Sequence, residues 1–130
     1  MYVITLNSTK REEMIDISQQ LQKLVEQKGF KDGLLMVFVP HTTAAITINE
    51  NADPSVAHDI LLGLRKLVPQ NNPEYRHSEG NSDAHIKASL VGSSVTIMVE
   101  NGKLLLGTWQ GVFFLEFDGP RLRKAYVRMA

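Results

Sequence analysis

The order of the hydrophobic periods constrains this chain most: two-residue alternation at both ends, with helical stripes between. Tyr2 to Leu6 alternates and is rich in β-branched residues, which predicts a strand. Ile17, Leu21, Leu24 and Val25 repeat at i, i+4, i+7 and i+8. That spacing predicts a helix over about 17–28, closed by Gly29, and leaves residues 12–15 as a second strand. Leu34 to Val39 is a continuous apolar run between Gly33 and Pro40, the pattern of a strand buried on both faces. Ala44 to Asn49 alternates again. Asp53-Pro54 combines an N-cap with a proline at the first helical position, and Ile60, Leu64, Leu67 and Val68 give that helix one apolar side as far as Pro69.

Residues 70–82 are polar and read as a loop. Asp83 is placed to cap a short helix over Ala84 to Val91. Ser94 to Val99 and Lys103 to Leu106 flank Asn101-Gly102, a hairpin turn signal. Gln110 to Phe117 and Leu122 to Met129 read as the last two strands, joined through Asp118-Gly119-Pro120. Strands outnumber helices and gather at the two ends, so the expected class is α+β with a largely antiparallel sheet, in one domain over residues 1–130.

Composition narrows the chemistry. The 130 residues carry fourteen Lys plus Arg against fourteen Asp plus Glu, a net charge of zero, which argues against nucleic-acid or anionic-membrane binding. With no cysteine, disulfides, thiolate zinc sites, iron–sulfur clusters and cysteine nucleophiles are excluded. No basic start with a long apolar stretch marks a targeting signal and no run approaches a membrane span, so the expected location is the cytoplasm.

The four histidines are then the only nitrogen metal ligands or near-neutral proton carriers. His41 follows Pro40 at the end of the apolar run, His77 lies in the polar loop, and His85 lies in the first turn of the short helix. From those positions the three rings can converge at one mouth; the alternative is three separate histidines making ordinary loop and cap hydrogen bonds. His58, beside Asp59, reads as helix surface or a subunit contact. Asn49 to Pro54 leads into a helix N-terminus, where unpaired N–H groups attract anions, unless Asp53 simply caps them. Glu50 and Asp53 are an alternative magnesium pair. Lys87 is either a phosphate-holding charge or a solvated lysine. Trp109 and Gln110 suit a flat heteroaromatic ring, unless Trp109 is a buried structural residue. Thr42, next to His41, is a candidate hydroxyl.

Four blocks in order, His41-Thr42-Thr43-Ala44-Ala45, Asn49-Glu50-Asn51-Ala52-Asp53-Pro54, His85-Ile86-Lys87-Ala88-Ser89 and Gly107-Thr108-Trp109-Gln110-Gly111, resemble the YjbQ family. The resemblance implies an α+β fold with a β-sandwich-like core and two to three helices, in a homotrimer. It also implies a thiamine-phosphate synthase, a transferase joining a hydroxymethylpyrimidine diphosphate to a thiazole phosphate with release of pyrophosphate. On that reading His41, Thr42, Asn49 and Asp53 carry catalysis, and Lys87, Trp109 and Gln110 bind a phosphorylated small-molecule substrate. His41, His77 and His85 hold a divalent metal, zinc from the ligand type or magnesium from the reaction. Two other readings stand beside it: a hydrolase in which histidine-held zinc activates water, and a trimeric metabolite-binding protein without catalysis.

Overall fold

The computed structural model describes residues 1–130. In chain order the elements are β1 (Tyr2–Asn7), β2 (Glu13–Asp16), α1 (Ser18–Gln27), β3 (Gly33–Phe38), β4 (Ala44–Glu50), α2 (Pro54–Leu67), α3 (Ser82–Val91), β5 (Ser94–Glu100), β6 (Lys103–Leu104), β7 (Gln110–Glu116) and β8 (Leu122–Met129). They form two sheets, a five-stranded one ordered β1-β8-β3-β5-β6 and a three-stranded one ordered β2-β7-β4. Every strand pair is antiparallel. The fold is therefore α+β, as the periods predict. No helix is long and apolar enough to cross a membrane.

The main core lies between the sheets. Leu35 and Val37 of β3, Ala125 and Val127 of β8, and Ile97 and Val99 of β5 meet Ile46, Val112 and Phe114 of the smaller sheet, with Leu21 and Val25 of α1 closing one side. A second cluster forms on the far face of β7, where Phe113, Leu115 and Phe117 pack against Ala84 and Ala88 of α3, with Leu61 and Leu64 of α2 half buried beside them. From Gly111 onward β7 is thus covered on both faces. Burying one large apolar side chain fully is worth about 1.5–3 kcal/mol, so these two clusters fix the order of the layers.

The run at Leu34 to Val39 differs from its expectation. β3 alternates: Leu35 and Val37 are buried, whereas Leu34, Met36 and Phe38 are exposed on the outer face of the five-stranded sheet. A continuous apolar run reports affinity for non-aqueous surroundings on both faces, and within one chain only the inner face receives them. The Asn101-Gly102 turn is as predicted, with φ of +53° and +75°, the left-handed conformation at both central residues that a tight hairpin requires. The α3 cap is not Asp83 but Asn81, one residue before the helix. Asp83 turns inward instead.

Two buried ion-pair networks staple the layers. In the first, Arg123 of β8 donates from Nε and Nη2 to the Glu116 carboxylate at the end of β7, and from Nη2 to Thr43 Oγ1 at 2.8 Å. Ser8 Oγ adds a donor to Glu116 at 2.7 Å. In the second, Lys87 Nζ donates to Asp83 at 2.7 Å and to Glu12 at 3.0 Å, while Arg11 forks onto Asp83. Burial by itself pushes the Glu116 and Asp83 carboxyls up, but hydrogen bonds from Arg123 and Ser8, and from Arg11 and Lys87, outweigh it, and both end below the ordinary carboxylate range. Depressed carboxyl pKa values contribute stability that is present above the unfolded values near ~4 and is lost as pH falls through the folded ones.

Glu116→Gln should therefore destabilise the fold by about 3–5 kcal/mol in urea unfolding, because Arg123 remains buried without its counter-charge. Arg65→Ala, which removes the outer pair to Glu12 at 3.5 Å, should cost less than about 1 kcal/mol. Equal costs for the two would contradict the assignment of the buried pair as the staple.

Candidate functional site

The chain crosses from the larger to the smaller sheet between Phe38 and Ala44, and this crossing carries His41, Thr42 and Thr43. Val39 N donates to Ser93 O, which ties the crossing to the end of α3, and Arg123 holds Thr43 by its hydroxyl and carbonyl. His41 and Thr42 then line a cleft of about 340 Å³ together with His85, Ala88 and Ser89 of α3, and Gly92 and Ser93 after it. His85 and Ser89 stand one helical turn apart, and Ser89 Oγ donates back to His85 O at 2.9 Å.

His41 is fixed in one tautomer. The backbone N–H of Lys124 donates to its Nε2 at 3.1 Å, so that nitrogen carries a lone pair and the proton of the neutral ring is on Nδ1. Burial disfavours the charged ring most, the Arg123 guanidinium adds repulsion, and together they set the His41 pKa below its ordinary value. A neutral ring with Nε2 already accepting has no lone pair left for a metal.

His77 meets His85 on the other side. Their rings are edge-on with centroids 5.5 Å apart, and both line a second hollow of about 480 Å³ with Tyr75, Ser82 and Ile86. His77 Nε2 also lies 3.5 Å from the Glu79 carboxylate. His85 thus borders two hollows, sharing one with His41 and the other with His77. No group of three or more His, Asp or Glu side chains is placed to hold a metal ion. The expected divalent metal at His41, His77 and His85, zinc or magnesium, is corrected accordingly: the three rings are strung along two hollows rather than turned on one point. His58 is exposed and pairs with Asp59 at 2.9 Å.

The remaining candidates lie elsewhere. Lys87 is only 1% exposed, and its ammonium sits between Asp83 and Glu12. Asn49 and Glu50 end β4, where they oppose Gly111 and Gln110 of β7. Asn51 N donates to Trp109 O, and Asn51 Nδ2 reaches Asp16 at 3.0 Å. Its side chain lies against Gly111 so closely that a Cβ there would collide with it, which explains the glycine. Gln110 Oε1 accepts from Gly107 N at 2.8 Å. Asp53 accepts from Ser55 N and Oγ, a cap that occupies its carboxylate and lowers its pKa. Trp109 is 63% exposed, not buried. β4 separates this group from His41 and Thr42 by seven residues, roughly 20 Å at about 3.4 Å each. The four sequence blocks therefore occupy two ends of the smaller sheet.

Sequence reading missed Ser89, Ser93, Glu116 and Arg123. Ser89 was signalled by its place four residues after His85 on one helix face. Arg123 was signalled by sharing strand phase with Ala125 and Val127, which marks a charge pointing inward.

The chain matches the family model described as "UPF0047 protein YjbQ-like" over residues 2–130. It is 54% identical over 129 residues to the UPF0047 protein MJ1081 of Methanocaldococcus jannaschii, covering 99% of this chain and 93% of that protein. It is 48% identical to the UPF0047 protein YugU of Bacillus subtilis, covering 97% and 96%. Among solved structures, an uncharacterized conserved protein of the yjbq/upf0047 family from Clostridium acetobutylicum superposes with a TM-score of 0.97 at 54% identity, with full coverage of both chains. A YbjQ-like protein of unknown function from Sulfolobus solfataricus superposes at 0.93 with 34% identity, covering 98% and 94%. These relatives are described without an activity, and that overturns the transferase and thiamine-biosynthesis expectation. The metal-dependent hydrolase falls with it, since nothing among the relatives supports it and the metal ligands it needs do not assemble. The chain belongs to the UPF0047 protein YjbQ-like family.

Proposed function

We propose that the cleft between His41 and His85 binds a small phosphorylated molecule through its phosphoryl oxygens. The observation that carries this reading is the make-up of the lining: two imidazoles and the hydroxyls of Thr42, Ser89 and Ser93, with no carboxylate among them. A cation would find no counter-charge there, whereas an oxyanion finds donors. In the neutral tautomer His41 donates from Nδ1, and on protonation of His85 both of its nitrogens donate. Arg123 and Lys124, which share a recess with His41, add positive potential there that Glu116 offsets in part. Ser89 already donates to His85 O, so its oxygen serves as an acceptor toward a protonated ligand group.

A homotrimer in the cytoplasm remains part of the proposal.

Titration calorimetry with inorganic phosphate tests the cleft. Wild-type protein should bind, and His85→Ala should weaken binding by about tenfold, equivalent to ~1.4 kcal/mol. His58→Ala, exposed on α2 and outside the cleft lining, should leave the affinity unchanged. Unaltered binding in His85→Ala, or loss only in His58→Ala, would contradict the reading. The His41 ring gives a second check by proton NMR. Its midpoint should lie below the ordinary ~6.5 in free protein and rise with phosphate, because a bound anion favours the imidazolium. With the folded value lowered, the unfolded chain takes the proton first. The His41 contribution to stability is therefore present above ~6.5 and is lost as pH falls toward the folded value.

A further inference from the structure

Residues 68–81 join α2 to α3. Connections between packed helices usually take about 2–8 residues, and longer ones are commonly functional. This one is closed on itself. Gln70 Nε2 donates to Gly80 O at 3.2 Å across its neck. Asn72 accepts at its backbone oxygen from Tyr75 N and at its side chain from Glu74 N, which turns the tip. A loop tied in this way holds its side chains in a set arrangement.

Those side chains line a third hollow, of about 400 Å³, in the size range of small-molecule sites. Tyr75, His77 and Ser82 line both this hollow and the second one, and the second meets the cleft at His85. The three depressions therefore follow one another along α3 from Ser89 back to Ser82, roughly 10 Å at about 1.5 Å per residue.

Their linings differ in charge. The cleft offers imidazoles and hydroxyls. The second hollow adds Glu74 and Arg76. Glu74 uses only its backbone N–H within the chain, so its carboxylate is free. The third hollow is lined by no Asp, Glu, Lys or Arg; Gln70, Asn71 and Asn72 supply amides there, beside the rings of Tyr75 and His77. Gln70 Oε1, Asn72 Nδ2 and the whole Asn71 amide have no partner in the chain.

Each lining suits a different chemistry. A free carboxylate accepts from adjacent hydroxyls, as acidic residues do with a ribose diol. Amides match the mixed donor and acceptor edge of a nucleobase, and aromatic rings offer its flat face a stacking surface. A charged group would find no counter-charge in the third hollow.

We infer that the three hollows form one site for a nucleoside 5′-monophosphate. Its phosphate lies between His41 and His85, its ribose diol on Glu74, and its base at the Asn71 and Asn72 amides beside Tyr75. The phosphate placement rests on the anion-cleft reading; the ribose and base placements do not.

Titration calorimetry on the full chain tests it, with inorganic phosphate, ribose 5-phosphate, and the 5′-monophosphates of adenosine, guanosine, cytidine and uridine as probes. Affinity should rise in that order, by about fivefold from phosphate to ribose 5-phosphate and again to the best nucleotide, steps the size of a net hydrogen bond or two. Asn71 and Glu74 are exposed, so their variants keep the fold. Glu74→Ala should weaken ribose 5-phosphate about fivefold and leave inorganic phosphate unchanged. Asn71→Ala should weaken the best nucleotide about fivefold and leave ribose 5-phosphate unchanged. No nucleotide tighter than ribose 5-phosphate, or a nucleotide advantage that survives Asn71→Ala, would overturn the base placement and the inference with it. Wild-type binding of ribose 5-phosphate in Glu74→Ala would overturn the ribose placement. Adenosine or another free nucleoside binding as tightly as its monophosphate, with loss in Asn71→Ala and none in His85→Ala, would overturn only the anion-cleft reading.

Discussion

The buried pair of Arg123 and Glu116 is the constraint from which the rest follows. One partner sits on β8 of the larger sheet and the other at the end of β7 in the smaller sheet, so the pair bridges the two layers where their hydrophobic contact ends. An isolated charge cannot remain there, and the geometry is satisfied from several sides at once: Ser8, Thr43 and the backbone N–H of Asp118 all bind one partner or the other. Holding Thr43 fixes the crossing segment, and with it His41. The same guanidinium discourages protonation of that ring, while the Lys124 amide selects its tautomer. Arg123 thus takes part both in the architecture and, beside burial and the Lys124 amide, in the chemistry of the imidazole.

The second network divides the charged residues of α3 between structure and surface. Asp83 and Lys87 point inward and lock α3 to the segment before β2 through Arg11 and Glu12. His85 and Ser89, on another side of the same helix, face the cleft. A helix of ten residues could not hold a half-buried imidazole and an exposed hydroxyl steady without a firm anchor on its other side. Asn81, buried before it and donating to Asp118, sets where that helix begins.

Most of the fold was legible because strand and helix periods are local properties. The helix after Asp53-Pro54, the turn at Asn101-Gly102 and the final strand at Leu122 to Met129 all lie where the pattern puts them. What was not legible depends on pairs distant in sequence. Lys87 reads as a surface lysine or a phosphate ligand until Glu12, 75 residues away, is found beside it. Asp83 reads as a cap until Arg11 claims it. The run at Leu34 to Val39 reads as doubly buried, because composition cannot distinguish a face covered by the chain itself from one left bare. For the candidate site, the sequence reads His41, His77 and His85 as one mouth, whereas they line two hollows that share only His85, and it does not reveal that Asn49, Asp53, Trp109 and Gln110 lie at the other end of the smaller sheet.

The cleft joins rigid placement to a lining free of carboxylate, and that combination is the central claim. A crystal structure of the protein grown with inorganic phosphate tests it most directly. The account predicts phosphate oxygens within hydrogen-bond distance of both His41 and His85, with Lys87 still paired to Asp83 and Glu12. A cleft empty at saturating phosphate, or a metal ion bridging the two imidazoles in its place, would contradict it.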